Sequence, residues 1–142
     1  MDHMTQTAQA VSQTLPLELV DAEGGVTRLE ADFSYDPVDP FAVTAVFKTA
    51  AGGVSWTFGR DLLVHGTYEP TGDGDVHVWP CLASDGTAVV IIELTSPDGE
   101  VLVQASSRDI ASFVGAMLGS VPLGAETALV DIDSELAGIF AL

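Results

Sequence analysis

Within Thr27–Tyr35, polar and apolar residues alternate without a break from Arg28 onward. An alternation with a period of two is typical of a β-strand that buries one face and exposes the other. A slip of one residue in strand pairing would move the whole apolar set into water, so we expect the register of this strand to be firmly fixed. The apolar members are Leu29, Ala31, Phe33 and Tyr35.

Six further segments before Ser106 are predicted to be strands, because each carries an alternating or wholly apolar run bounded by turn residues. Arg60–His65 lacks this alternation and is predicted to form a short helix that ends at Gly66. The connections are mostly short turns, which favour antiparallel pairing. The six segments are Leu15–Leu19, Phe41–Thr49, Val54–Phe58, Val76–Pro80, Ala88–Leu94 and Glu100–Ala105.

The pattern changes at Ser106, after which apolar residues recur at helical spacing and predict a long helix. Ser106 and Asp109 resemble a helix cap, and Gly119 occupies the position of a terminating glycine. A second stripe predicts a C-terminal helix, and strands followed by helices indicate the α+β class. The first stripe is Ile110, Phe113, Val114, Met117 and Leu118; the second is Ile132, Leu136, Ile139 and Phe140.

The length of 142 residues fits one domain. We predict a single domain over residues 13–142 and a disordered N-terminal segment over residues 1–12, in which His3-Met4 resembles a cloning remnant. Cys81 is the only cysteine, so no internal disulfide can form, which suits a cytoplasmic protein. The apolar runs are too short to cross a bilayer, so no direct membrane insertion is expected.

The net charge disfavours one large class of partner, the nucleic acids. Four basic residues face 21 acidic ones, which gives a formal net charge of −17. Nucleic-acid binding takes most of its affinity from lysine and arginine side chains that neutralise phosphates. Four cations scattered along the chain do not form such a patch, so no direct nucleic-acid binding is predicted.

The sequence contains no recognisable catalytic constellation. Beyond His3 the histidines are His65 and His77, and no pair of histidines or cysteines has the spacing of a metal site. Glycine-rich phosphate loops are also absent, since Gly72-Asp73-Gly74 carries an acid where a phosphate would approach. We therefore predict no catalytic residue, no cofactor and no metal, and a protein that acts by binding other proteins.

The candidate protein-binding residues are Arg60, Leu63, Trp79 and Pro80. Trp79 shares a strand face with His77, opposite Val76 and Val78, so it is either an interface anchor or a residue packed under a helix. As one of four cations, Arg60 is expected to form a local salt bridge first and a partner contact second.

Four motifs, in this order and spacing, resemble the SsgA-like proteins, the sporulation and cell-division regulators of actinobacteria. The resemblance extends from about Leu15 to Phe140. The motifs are Tyr35-Asp36-Pro37 through Asp39-Pro40-Phe41-Ala42-Val43, Trp56–Leu63, Gly72–Pro80 and Ser96-Pro97-Asp98-Gly99-Glu100.

The resemblance implies a non-enzymatic regulator of sporulation-specific division that is found in the cytoplasm at division septa. It implies an adaptor that helps to localise the tubulin-like division protein FtsZ, or another septal protein, and that assembles as a homotrimer or other homo-oligomer. It also implies a Whirly-like fold of two packed antiparallel sheets, with about seven or eight strands, a long helix and a C-terminal helix. The same fold analogy suggests single-stranded nucleic-acid binding as the alternative function, which the net charge disfavours.

Overall fold

The computed structural model describes residues 8–127, which form eight strands and two helices. The first four strands precede the short helix, and the other four lie between the two helices. The elements are β1 Val11–Val20, β2 Val26–Tyr35, β3 Ala42–Thr49, β4 Gly52–Gly59, α1 Arg60–Gly66, β5 Thr71–Asp73, β6 Val76–Leu82, β7 Ala88–Ser96, β8 Gly99–Ser106 and α2 Ser107–Ser120.

The strands form one antiparallel sheet in the order β4-β3-β2-β1-β8-β7-β6-β5. The α+β class and the antiparallel strands are thus confirmed, and the two expected sheets are two four-stranded halves of a single sheet. Only β1 and β8 join the halves, through three residue pairs, Glu18↔Gln104, Leu19↔Val103 and Val20↔Leu102. We call these three pairs the seam. They connect the two halves into one continuous hydrogen-bonded sheet.

Both helices lie on one face of the sheet, which we call the inner face; the opposite face is the outer face. The alternating residues of β2 confirm the predicted register, because Ala31 and Phe33 are fully buried on the inner face. The ring of Phe33 meets that of Phe113 in α2 edge-on, at 5.7 Å between centroids. α1 adds Leu62, Leu63 and Val64 to the same core.

The predicted start of α2 is confirmed, since Oγ of Ser106 accepts hydrogen bonds from the backbone amides of Arg108 and Asp109 at 3.1 and 3.4 Å. The predicted stop at Gly119 is wrong. The helix continues to Ser120 and the amide of Val121 still bonds to the carbonyl of Met117 at 2.9 Å, because Val121 is drawn into the core.

Two other features of the structure differ from the predictions, and one prediction lies outside the described residues. Thr71–Asp73 was not among the predicted strands, but the tight turn at Gly74 pairs it with β6 as strand β5. β1 begins at Val11, so the last two residues of the segment predicted as disordered belong to a strand. The predicted C-terminal helix around Ile132–Phe140 and residues 1–7 lie outside the described residues.

Gly66 ends α1 where the helix touches the sheet, and the contact leaves no room for a side chain. A Cβ there would lie 2.6 Å from Cβ of Val78 and 3.3 Å from its carbonyl carbon, so α1 would have to move off β6. We expect Gly66→Ala to lower the free energy of unfolding by about 1–3 kcal/mol, measured by urea denaturation.

Gly115 of α2 provides the matched control, because a Cβ there meets nothing within 4 Å. Gly115→Ala is expected to stabilise the chain by about 0.5–1 kcal/mol through helix propensity. Equal effects of the two substitutions would show that α1 is not packed closely on β6.

Candidate protein-binding surface

Arg60, the first residue of α1, is buried, with 1% of its surface exposed. Its Nε and Nη2 atoms donate to Oε2 of Glu126 at 3.0 and 2.7 Å. Nη1 donates to the carbonyl of Val121 at 2.7 Å and to the hydroxyl of Tyr35 at 3.2 Å, and Nη2 to the carbonyl of Pro122 at 3.2 Å. The guanidinium therefore connects α1, the end of β2 and the segment that follows α2.

The groups around Arg60 are held in fixed ionisation states. Burial alone would raise the pKa of Glu126, but hydrogen bonds from Arg60 and from the amide of Gly124 outweigh it and keep that pKa below its ordinary value. Burial raises the pKa of Tyr35, against the charge of Arg60. The hydroxyl of Tyr35 donates in turn to the carbonyl of Pro40 at 2.9 Å. Each buried polar side-chain atom of the cluster thus has a hydrogen-bond partner, and the cluster serves to hold the fold together.

The structure does not bring the four predicted binding residues together on a surface. The expectation of surface positions for Arg60 and Leu63 was wrong, because Arg60 is enclosed by its hydrogen-bond partners and Leu63, fully buried, packs in the core. Arg60 does form the expected salt bridge, but its partner Glu126 is 66 residues away in sequence rather than local. Trp79 and Pro80 are half-buried in β6, and their part in partner binding stays a prediction.

Trp79 lies on the outer face of the sheet. Val78, which directly precedes Trp79 in β6, and Val76 are both buried in the core. Gly66 of α1 packs against Val78. Since successive strand residues point to opposite faces, Trp79 points away from α1. Packing of Trp79 under α1 is therefore excluded.

A shallow groove of about 260 Å³ adjoins Trp79, between the start of β5 and the outer face of β7. Nδ1 of His77 lies 3.5 Å from Oε1 of Glu93 across this groove. A side chain at Gly72 would collide with the imidazole of His77, so the glycine leaves the groove open. Pro70 and Thr71 complete the lining.

Three strands contribute apolar side chains to the outer face around Trp79, where they alternate with the polar side chains of His77, Glu93 and Gln104. Trp79 pairs with Ile91 in β7, and Ile91 is buried without belonging to the main core, as is Val89. Leu102 of β8 is half-buried beside them. We call these four residues the outer patch. The outer face of β2 and β3 carries charged and hydroxyl side chains instead, among them Asp32, Lys48 and Thr44.

The surface cations are few and separate. Arg28 is highly exposed and lies 4.0 Å from Glu18; Lys48 lies 3.4 Å from Asp32. Arg108, in the first turn of α2, is also exposed. Between residues 8 and 127, no three His, Cys, Asp or Glu side chains are grouped to hold a metal ion, and neither helix is long and apolar enough to cross a membrane.

Sequence reasoning did not identify β4 as an edge strand of the sheet. Gly52–Gly59 pairs with β3 in an unbroken register of eight residue pairs and is the last strand on its side of the sheet. It carries no charged residue and no proline, the devices with which proteins usually protect an edge. The missing charges were visible in the sequence, but the position at the edge was not.

Comparison with known proteins decides the family. Residues 29–126 match the model of a family described as "Streptomyces sporulation and cell division protein, SsgA". This chain belongs to the SsgA family.

Two curated SsgA-family relatives share almost the full length of the chain. The sporulation-specific cell division protein SsgB of Streptomyces coelicolor is 45% identical over 132 residues, which cover 92% of this chain and 96% of the relative. SsgB of Frankia casuarinae is 38% identical over 135 residues, 94% of each chain. These relatives support a role in regulating cell division.

Solved structures of SsgA-family proteins agree with the fold. An SsgA-like sporulation-specific cell division protein from Thermobifida fusca matches with a TM-score of 0.85 and 31% identity, over 95% of this chain and 98% of that one. A structure connected with the finding that mutations in SsgB correlate to longitudinal cell division during sporulation of Streptomyces coelicolor has a TM-score of 0.80 and 41% identity, over 88% and 98%.

Proposed function

We propose that this chain is a non-enzymatic adaptor that localises septum assembly during sporulation by binding FtsZ or another septal protein. The observation that carries the proposal is the near full-length similarity to SsgB of Streptomyces coelicolor, a sporulation-specific cell division protein. In this proposal the protein works in the cytoplasm, at division septa.

The outer patch is the proposed contact surface, with Trp79 as its anchor. A tryptophan that is half-buried in its own chain can bury the rest of its ring against a partner, and tryptophan is enriched among the residues that dominate binding energy. Ile91, paired with Trp79 in the adjacent strand, and Val89, one pair further on the same face, supply apolar neighbours for the ring. Pro80 follows Trp79 and stiffens the strand.

Affinity capture tests the adaptor function. The full chain, immobilised through a tag, is incubated with purified FtsZ of the same organism and, separately, with a lysate of sporulating cells. We expect FtsZ or another septal protein to be retained at physiological salt. Retention of neither, by a chain whose folding is verified by circular dichroism, would contradict the proposal.

We further propose that β4 mediates self-association. An edge strand of eight residues without charges is a template for pairing with another chain, and symmetric homo-oligomers are the usual outcome of such surfaces. Light scattering is expected to give a multiple of 14.8 kDa.

Ser55→Lys introduces a charge at an exposed position of this edge and is expected to shift the mass toward that of the monomer. Thr27→Lys, at an exposed position of the interior strand β2, is the matched control and is expected to leave the mass unchanged. A wild-type mass of one chain, or an oligomer that persists in Ser55→Lys, would exclude β4 as the interface.

A further inference from the structure

The two halves of the sheet separate beyond the seam between β1 and β8. Their pairing ends at Glu18↔Gln104, although β1 extends back to Val11. β8 ends at Ser106, where the chain enters α2, and Pro16 has no amide with which to extend the ladder. The separation opens a groove of about 580 Å³, which lies within the usual size range of binding sites. We call it the seam groove.

The base of the seam groove is apolar. Val89 of β7 lines it from the outer face, and Leu17 and Ala105, whose side chains belong to the inner core, border it where the strands diverge. All three side chains are at most 5% exposed. A side chain entering the groove would therefore exchange water for hydrocarbon contacts, which favours an apolar group.

The walls of the seam groove are acidic. Four carboxylates line it, Glu18, Glu30, Asp85 and Asp109, against one cation, Arg28. The side chain of Arg28 is 89% exposed, and its Nε is 4.0 Å from Oε2 of Glu18, which is long for an ion pair. Because solvent screens such a pair, Arg28 neutralises the carboxylates of the groove only weakly. Hydrogen bonds from Thr87 lower the pKa of Asp85 and keep it anionic. Four acids minus one base leave a formal charge of −3 around an apolar base.

We propose that the seam groove is a docking site for a basic peptide segment of another protein, with an apolar side chain seated on Val89 and with lysine or arginine residues beside it facing the acidic walls. The charge selects against phosphate-bearing partners such as nucleic acid and anionic lipid. Val89 belongs to both the seam groove and the outer patch, so the two proposed surfaces adjoin one another.

A second copy of this chain does not supply such a segment. The chain has four basic residues, and the closest two in sequence, Lys48 and Arg60, are twelve positions apart. Arg60 is moreover buried in its own network. The occupant is therefore a different polypeptide, one in which basic residues flank an apolar residue.

The test is an NMR titration of the ¹⁵N-labelled full chain with the amidated peptide Lys-Lys-Leu-Lys-Lys. Saturable shifts are expected at Leu17, Thr87, Val89 and Gln104. The peptide Lys-Lys-Ser-Lys-Lys is expected to bind about tenfold more weakly, because it lacks the apolar side chain. Shifts spread evenly over the acidic surface, or equal binding of the two peptides, would overturn the proposal.

Two double variants distinguish binding by the carboxylates of the seam groove from attraction by the overall negative charge. Glu30→Gln with Asp85→Asn is expected to weaken binding about three- to tenfold. Asp73→Asn with Asp75→Asn removes the same charge at the exposed turn between β5 and β6, and is expected to leave binding unchanged. Equal losses in both pairs, or saturable binding of anionic vesicles or single-stranded DNA at the same residues, would contradict a basic peptide as the occupant. Failure here leaves the adaptor function standing, since FtsZ is not part of the assay.

Discussion

Replacing Arg60 with alanine is expected to lower the free energy of unfolding by about 3–5 kcal/mol, the cost of leaving one partner of a buried ion pair alone. The substitution leaves the carboxylate of Glu126, which is 6% exposed, without its ion-pair partner. It also removes the guanidinium N–H groups that donate hydrogen bonds to the carbonyls of Val121 and Pro122. Total stabilities of domains are about 5–15 kcal/mol, so the loss is about a fifth of the total or more. Urea denaturation followed by circular dichroism measures the loss.

Two further variants make the Arg60 result interpretable. Arg28→Ala removes an arginine whose side chain is 89% exposed and is expected to cost at most about 1 kcal/mol. Arg60→Met combined with Glu126→Leu removes both charges and is expected to be more stable than Arg60→Ala alone. A loss below about 1 kcal/mol for Arg60→Ala would show that the pair is not buried in solution.

The same pair predicts how stability depends on pH. The pKa of Glu126 in the folded chain lies below its ordinary value, so its contribution is present above the pKa of an unfolded glutamate and is lost as pH falls through the folded pKa. Glu126→Gln is expected to reduce this acid sensitivity. An unchanged slope of unfolding free energy against pH in that variant would assign the sensitivity to other carboxylates.

Trp79→Ala is expected to weaken FtsZ capture by about thirtyfold, which corresponds to about 2 kcal/mol for a central binding residue. The reason is that Trp79, paired with Ile91 on the outer face, is only partly buried in its own chain, and a partner can bury the rest of the ring. Surface plasmon resonance with immobilised FtsZ measures the change, and thermal melting verifies that the variant is folded.

Leu82→Ala is the matched control for Trp79, because Leu82 is an apolar residue of the same strand with 69% of its surface exposed. It is expected to change capture less than about threefold. Equal losses for the two variants would move the contact to the end of β6. No loss for Trp79→Ala would remove the outer patch from the interface.

The strands and the long helix could be predicted because their signals are local. The alternation through Phe33 and the cap at Ser106 each depend on neighbours a few residues away. β5 was not predicted, because its three residues, Thr71–Asp73, show no alternation of polar and apolar side chains. They pair with β6 only because of the turn that follows them. The alternation placed Trp79 on the face opposite Val78 but left open whether it anchors an interface or packs under a helix.

The role of Arg60 could not be predicted, because its partners are distant in sequence. Glu126 is 66 residues away, and Val121 is 61. A lone arginine in an acidic chain is expected at the surface, and only the assembled fold encloses it. The joining of the two halves through β1 and β8 is similarly long-range, with Glu18 paired to Gln104.

The central claim is that this chain acts by placing a division protein at future septa through its surface. The most direct measurement is the localisation of a functional fluorescent fusion in sporulating cells of the source organism, recorded together with labelled FtsZ. We predict regular bands of the fusion that coincide with FtsZ bands before septa close. A fusion that stays diffuse throughout sporulation, while FtsZ still forms its bands, would contradict the account.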